Sequence, residues 1–168
     1  MEGERVKNEI MLFVLFHLGK ERYALEANRV VEVVPLLELK RFPQSPPGVA
    51  GMFIYRGRPV PALDLCALTV GRPATEHLST RIIIVNYGES PGQDQLVGLI
   101  AERATETIRR EPKDFAEPGV QLSAAPFLGP VLTDEKGVIQ LISTQKLLQE
   151  NLRGLLPRGP KEADYATD

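Results

Sequence analysis

The stretch Gly48-Val-Ala-Gly-Met-Phe-Ile-Tyr-Arg-Gly-Arg-Pro-Val-Pro-Ala-Leu-Asp-Leu65 decides how the rest of the chain is read. An apolar run ends at Arg56, turns at Gly57 and returns through two prolines into a second apolar run. Strand alternation places Met52, Ile54 and Arg56 on one face and Phe53 and Tyr55 on the other. Gly57 supplies the backbone freedom that the turn needs. Pro59 and Pro61 remove N–H groups from the same side of the returning strand, so that side cannot be paired and the strand follows an edge or borders a groove. Arg56 thus extends an apolar stripe in a place suited to binding. The competing reading is a structural arginine bridged to a nearby carboxylate.

Outward from this hairpin, short strands predominate. Residues 11–18 and 22–25 flank a Gly19-Lys20 turn, and the β-branched run 30–34 stops at Pro35. The following LLELKRFPQSPPGVAG carries three prolines and is read as irregular. Strands resume over 52–55, 60–65, 81–87, 95–101, 105–108, 131–133 and 138–142. Many short strands between Gly and Pro turns indicate small barrels or a sandwich.

One helix is predicted from Thr144, where Leu147, Leu148, Leu152, Leu155 and Leu156 recur at helical spacing. Ser143 or Thr144 caps its start and Pro157 ends it. Its leucine face is expected to pack on the barrel surface. A weak internal repeat aligns residues 24–32 with 98–106, matching Ala, Arg and Glu, and Gly51 corresponds loosely to Gly129. Two similar β lobes built by duplication would account for it. Residues 1–9 and 157–168 read as flexible tails around a folded unit over 10–156.

Composition narrows the function classes. Of 168 residues 43% are hydrophobic, enough for a buried core, and 20 Lys and Arg against 22 Asp and Glu give a net charge of -2. With a pI near 5.8, phosphate-backbone affinity is an unlikely driver of binding. Cys66 stands alone in an apolar stretch and reads as a buried structural thiol of a reducing compartment. The run IMLFVLF, residues 10–16, lacks signal-peptide flanks and is too short to span a bilayer, so it is read as a buried strand of a soluble protein.

Catalytic motifs are missing. Neither glycine-rich phosphate cradle occurs, and His17, His77 and one cysteine make no zinc set, so no cofactor or metal is expected. Asp64 reads as a turn or cap residue, and Ser45, Ser79, Ser90, Ser123 and Ser143 have no sequence context that supplies a base. A non-enzyme is the expectation, with no residues to nominate for a hydrolase. Small β-barrels also bind nucleic acid, and Arg56, Arg58, Arg72 and Arg81 offer a basic patch for that alternative. The acidic pI and few aromatic platforms weigh against it, since stacking contributes about 1–3 kcal/mol per base.

The hairpin block, with FHLGKERYALEANRVVEVV, STRIIIV, LVGLIAERATETI and GVIQLISTQKLL around it, resembles the CheW family, the coupling proteins of bacterial chemosensory arrays. The resemblance runs in unbroken order over residues 11–150. It implies an all-β fold of two five-stranded, Src-homology-3-like β-barrel lobes sharing a core, with a short C-terminal helix. It also implies a cytoplasmic, non-enzymatic adaptor joining the tip of a methyl-accepting chemoreceptor to the regulatory domain of a CheA-type histidine kinase. Positions matching the family's receptor groove are Val30, Glu32, Gly51, Arg56 and Gly57; kinase contacts are not assigned. Two departures stand out: Ile142-Ser143 replaces the usual Leu-Asp or Leu-Asn, and Tyr55 precedes the hairpin arginine instead of the frequent Leu. The wording LLELKRFPQSPPGVAGMFIYRG, LSTRIIIVNY and PFLGPVLTDEKGVIQLI is similar to coupling proteins of Wsp-type systems, which link surface sensing to a cyclic-di-GMP-producing regulator. The chain's length resembles that of the stand-alone coupling protein.

Overall fold

The computed structural model describes residues 9–92, 94–119 and 125–151. In chain order these form β1 (Met11–Leu18), β2 (Glu21–Glu26), β3 (Val30–Pro35), β4 (Val49–Tyr55) and β5 (Arg58–Asp64). A short helix α1 (Leu65–Thr69) follows, then β6 (Arg81–Asn86), β7 (Leu96–Arg110), β8 (Leu128–Asp134), β9 (Gly137–Ile142) and α2 (Thr144–Asn151). Single 3-10 turns occupy Ala27–Arg29 and Pro112–Asp114.

The organising element is β7. Its first half pairs antiparallel with β6 and parallel with β5, up to Ala101; from Glu102 onward it pairs with β1. Two lobes result, one with strand order β3-β6-β7-β5-β4 and the other β7-β1-β2-β9-β8. Each ring is closed by an isolated backbone bridge, Lys40 to Met52 in the first lobe and Ala116 to Val131 in the second. These are the two five-stranded barrels that the family resemblance implied. Their composition is crossed: the hairpin β1-β2 joins β8 and β9, while β3, β4 and β5 join β6 and the first half of β7.

The expected strands 95–101 and 105–108 are one element of 15 residues. In the first half of the repeat, Ala27–Arg29 form a 3-10 turn between β2 and β3; at the matching Ala101 to Arg103 the chain stays extended and bends. Arg103 takes φ 48° there, as the ladder passes from one lobe to the other.

Alternation decides the cores. Phe13 and Leu15 of β1 fill the second lobe with Ala24, Leu132 and Ile139, and Ile82 and Ile84 of β6 fill the first with Phe53, Val60 and Ile100. The intervening Val14, Phe16, Ile83 and Val85 point the other way, into a core shared by both lobes. That is why these strands read as continuous apolar runs. Both helices seal the shared core, α1 through Leu65 and Cys66 and α2 through Leu147 and Leu148.

Caps follow the sequence closely. Asp64 Oδ1 accepts the N–H groups of Cys66 and Ala67 at the start of α1, a helix that the apolar stretch did not announce. Ser143 Oγ accepts the Lys146 N–H at 3.3 Å, so the serine in place of the family's usual Asp or Asn still caps α2. The expected leucines 152, 155 and 156, the helix stop at Pro157, the tail over 157–168 and all of the 1–9 tail but Glu9 lie outside the described residues. Among the described residues no helix is long and apolar enough to cross a membrane.

Candidate functional site

The β4-β5 hairpin turns on Arg56 and Gly57, with Tyr55 and Arg58 as its closing pair. Their φ values, 49° and 78°, mark a type I′ turn, whose twist suits the flanking strands but demands left-handed backbone at both central residues. Glycine meets this freely; arginine does so against its steric preference. Arg56 therefore stands in the turn and does not continue the outer face of Met52 and Ile54, as strict alternation had it. Its guanidinium folds back over the Tyr55 ring, 5.1 Å from the centroid.

The prolines act as expected. Parallel pairing between β5 and β7 begins at Ala62, the residue after Pro61, so β5 has an open side over the stretch that carries Pro59 and Pro61.

Tyr55 spans from β4 to β3, two strands that do not hydrogen-bond to each other. Its ring is buried, and its hydroxyl donates to Glu32 Oε2 at 2.5 Å. Arg56 Nη2 lies 3.8 Å from the same Oε2, close enough for Coulomb attraction and too far for a hydrogen bond. The carboxylate bond, with burial behind it, raises the Tyr55 phenol pKa, against a smaller lowering by Arg56. Both charged groups stay accessible, the Arg56 side chain 73% and the Glu32 side chain 43% exposed. A bulge in β3 between Val30 and Glu32 accompanies an outward Val31, and Ile54 is also exposed, so each charge has an exposed apolar chain neighbour or near neighbour.

The five sequence-derived positions divide accordingly. Glu32 and Arg56 are brought together, Gly57 forms the exposed turn beside them, and Val30 is half-buried against the shared core. Gly51 is buried in the β4 bulge, where a Cβ would stand 2.4 Å from the Lys40 carbonyl oxygen. Its contribution is to let the irregular segment close the barrel on Met52. Tyr55, marked in the sequence as a departure before the hairpin arginine, makes a contact with Glu32 that was not foreseen. Alternation put its ring on the face opposite Met52 and Ile54, and the signal available was its hydroxyl, which a tyrosine buried there ordinarily directs to a partner.

Elsewhere the titratable groups are occupied structurally. Asp64 uses Oδ2 to accept the Ala74 N–H at 2.8 Å, besides capping α1. Burial raises the Cys66 thiol to about 12, with the Glu102 and Asp64 carboxylates adding to it. His17 is lowered by burial and by Arg103 and Arg22. Among the described residues no group of His, Cys, Asp and Glu is arranged to hold a metal ion. The basic patch is partly spent: Arg72 is bound to Glu102, and Arg58 donates to the Asp94 carbonyl at 2.7 Å. Two of the four arginines are thus engaged within the chain.

Comparison with known proteins gives a consistent result. The CheW-like domain family profile matches residues 12–152. A chemotaxis protein CheW of Helicobacter pylori is 29% identical over 107 residues, 64% of this chain and 62% of that protein. Chemotaxis protein CheW of Klebsiella aerogenes is 25% identical over 162 residues, 93% of this chain and 90% of its own length. The chain thus spans just under two thirds of the Helicobacter protein and nine tenths of the Klebsiella one. Among solved structures, the scaffolding protein CheW of Thermoanaerobacter tengcongensis superposes with a TM-score of 0.69 at 24% identity, over 84% of this chain and 90% of that one. That likeness carries the fold.

Proposed function

The chain belongs to the CheW-like domain family, and from that premise we propose that it is a cytoplasmic coupling adaptor without catalytic turnover. It joins the helical tip of a methyl-accepting chemoreceptor to the regulatory domain of a CheA-type histidine kinase. The observation that carries the receptor half is the Glu32-Tyr55-Arg56 cluster. An exposed guanidinium in the β4-β5 turn and an exposed carboxylate on β3 lie 3.8 Å apart, with Val31 and Ile54 exposed beside them in the chain. Arg combined with apolar area is where binding energy concentrates, and a planar fork of donors suits carboxylates and carbonyls on a helix bundle. Val30, Glu32, Arg56 and Gly57 frame that contact, with Gly51 shaping the strand behind it.

The kinase is bound through a β-barrel end in a modest, partly apolar interface. The finer assignment is a Wsp-type, surface-sensing pathway controlling cyclic-di-GMP, supported by the wording of the hairpin block and the β6 and β8-β9 segments. Deleting the gene should then change cyclic-di-GMP on surfaces; a change confined to swimming would reject the subclass.

Arg56→Ala tests the adaptor reading. It should cost about 2 kcal/mol or more of receptor binding while shifting stability by less than about 1 kcal/mol. Equal receptor affinity for the two proteins would refute the site. Failure to co-purify with the cognate kinase at tens of micromolar would count against the second half of the role.

A further inference from the structure

The Glu32 carboxylate faces two partners through a single oxygen, and the distances rank them. Tyr55 reaches Oε2 at 2.5 Å, within hydrogen-bonding range, whereas Arg56 Nη2 stands off at 3.8 Å. The Arg56 side chain otherwise meets Tyr55, through a weak side-chain interaction with its hydroxyl and through its ring. Its position is set by the Tyr55 ring, 5.1 Å beneath it. An arginine and a glutamate this close ordinarily settle into a two-pronged pair that uses up both the donors and the acceptors. Here the tyrosine touches both groups, its hydroxyl on the acid and its ring under the base.

We propose that Tyr55 is a positioning residue for the docking surface: it holds Glu32 and keeps Arg56 from collapsing onto it, so that the guanidinium donors stay available to a carboxylate on the partner helix. The inference rests on the receptor-docking reading above and deepens it. It adds a specificity element, because a partner must offer an acid to Arg56 while leaving Glu32 in its tyrosine-bound place. The anchorage suits such a task. The Tyr55 ring is packed in the first lobe's core, so its hydroxyl is delivered from a fixed point with little side-chain freedom left to lose. Arg56 contributes from a turn whose left-handed backbone also fixes its Cα direction.

Two measurements test this. The first needs no partner: tyrosine labelled at Cζ is titrated by NMR, with Tyr55→Phe identifying the Tyr55 signal. The Tyr55 phenol should titrate above the ordinary tyrosine value in the wild-type protein and move down in Glu32→Ala. An unmoved signal would mean that the hydroxyl does not hold the carboxylate in solution, and the proposal falls. The second is a double-mutant cycle of Tyr55→Phe and Arg56→Ala against the cytoplasmic fragment of a methyl-accepting receptor from the same genome. Tyr55→Phe alone should weaken binding about fivefold, within the coupling range of residues in contact. In the Arg56→Ala background it should do little more. Unchanged affinity for Tyr55→Phe, or losses that simply add, would overturn the positioning role and make Tyr55 structural or a direct contact. If the wild-type protein binds no receptor fragment at all, the docking reading fails by itself, and the phenol titration still decides whether Tyr55 holds Glu32.

Discussion

Glu102 receives Arg72 through both carboxylate oxygens, at 3.0 Å on Oε2 and 3.2 Å on Oε1, where β7 passes from one lobe to the other. The same carboxylate accepts the N–H groups of Gly19, in the β1-β2 turn, and Thr75, in the loop before β6. One buried side chain therefore ties a hairpin of the second lobe and a loop of the first to the strand they share. Burial by itself would raise the Glu102 pKa; the bonds from Arg72, Thr75 and Gly19 outweigh it and hold the carboxyl at about 2.

The first prediction concerns acid stability. A carboxyl depressed in the folded state contributes stability that is complete above its unfolded value, near 4.5, and lost as pH falls through the folded value, near 2. Glu102→Gln should cost about 2 kcal/mol at pH 7, in the range of hydrogen bonds to a charged group. The gap to wild type should be flat from pH 7 to 5 and close between pH 4.5 and 2. Urea denaturation at stepped pH measures it; a gap independent of pH would deny the carboxylate this role.

The second separates folding from docking at a single position. Arg56 holds φ 49°, which costs a non-glycine residue about 1–2 kcal/mol. Asparagine tolerates that backbone and Asn-Gly is the preferred pair for a type I′ turn. Arg56→Asn should raise the denaturation midpoint, with a gain of up to about 1 kcal/mol, and weaken receptor binding by about 2 kcal/mol. Loss of both together would make Arg56 a structural residue.

The third tests barrel closure. Lys40 and Met52 exchange both backbone hydrogen bonds at 2.8 Å, and a methyl at Gly51 would meet the Lys40 carbonyl at 2.4 Å from a φ of 144°. Gly51→Ala should cost about 3 kcal/mol or more, and amide exchange at Lys40 and Met52 should accelerate ahead of the rest of the first lobe. Uniform protection in the variant would show that the bulge relaxes without opening the bridge.

The fourth is chemical. Cys66 is fully buried in the shared core, and burial together with Glu102 and Asp64 pushes its thiol to about 12. A disulfide reagent at pH 8 should leave the native protein unmodified and react at a free-thiol rate only in denaturant. Prompt reaction in buffer would place the thiol outside the shared core.

What the sequence determined by itself was much of what depends on neighbours along the chain. Alternation separated Phe53 and Tyr55 from Met52 and Ile54, Asp64 and Ser143 announced caps, and Pro59 and Pro61 foretold where β5 is left unpaired, because period, capping and missing N–H groups act within a few residues. The repeat of 24–32 in 98–106 also indicated two lobes. The tertiary structure alone decided that the lobes exchange hairpins, and that the second copy continues through a bend as β7 where the first breaks into a turn. It also decided that Tyr55 meets Glu32 from 23 residues away and that Glu102 gathers Gly19, Arg72 and Thr75. These are contacts between groups whose local sequences carry no trace of one another; they arise when two half-barrels close on a common core, and the buried polar atoms brought together there must satisfy each other's hydrogen bonds.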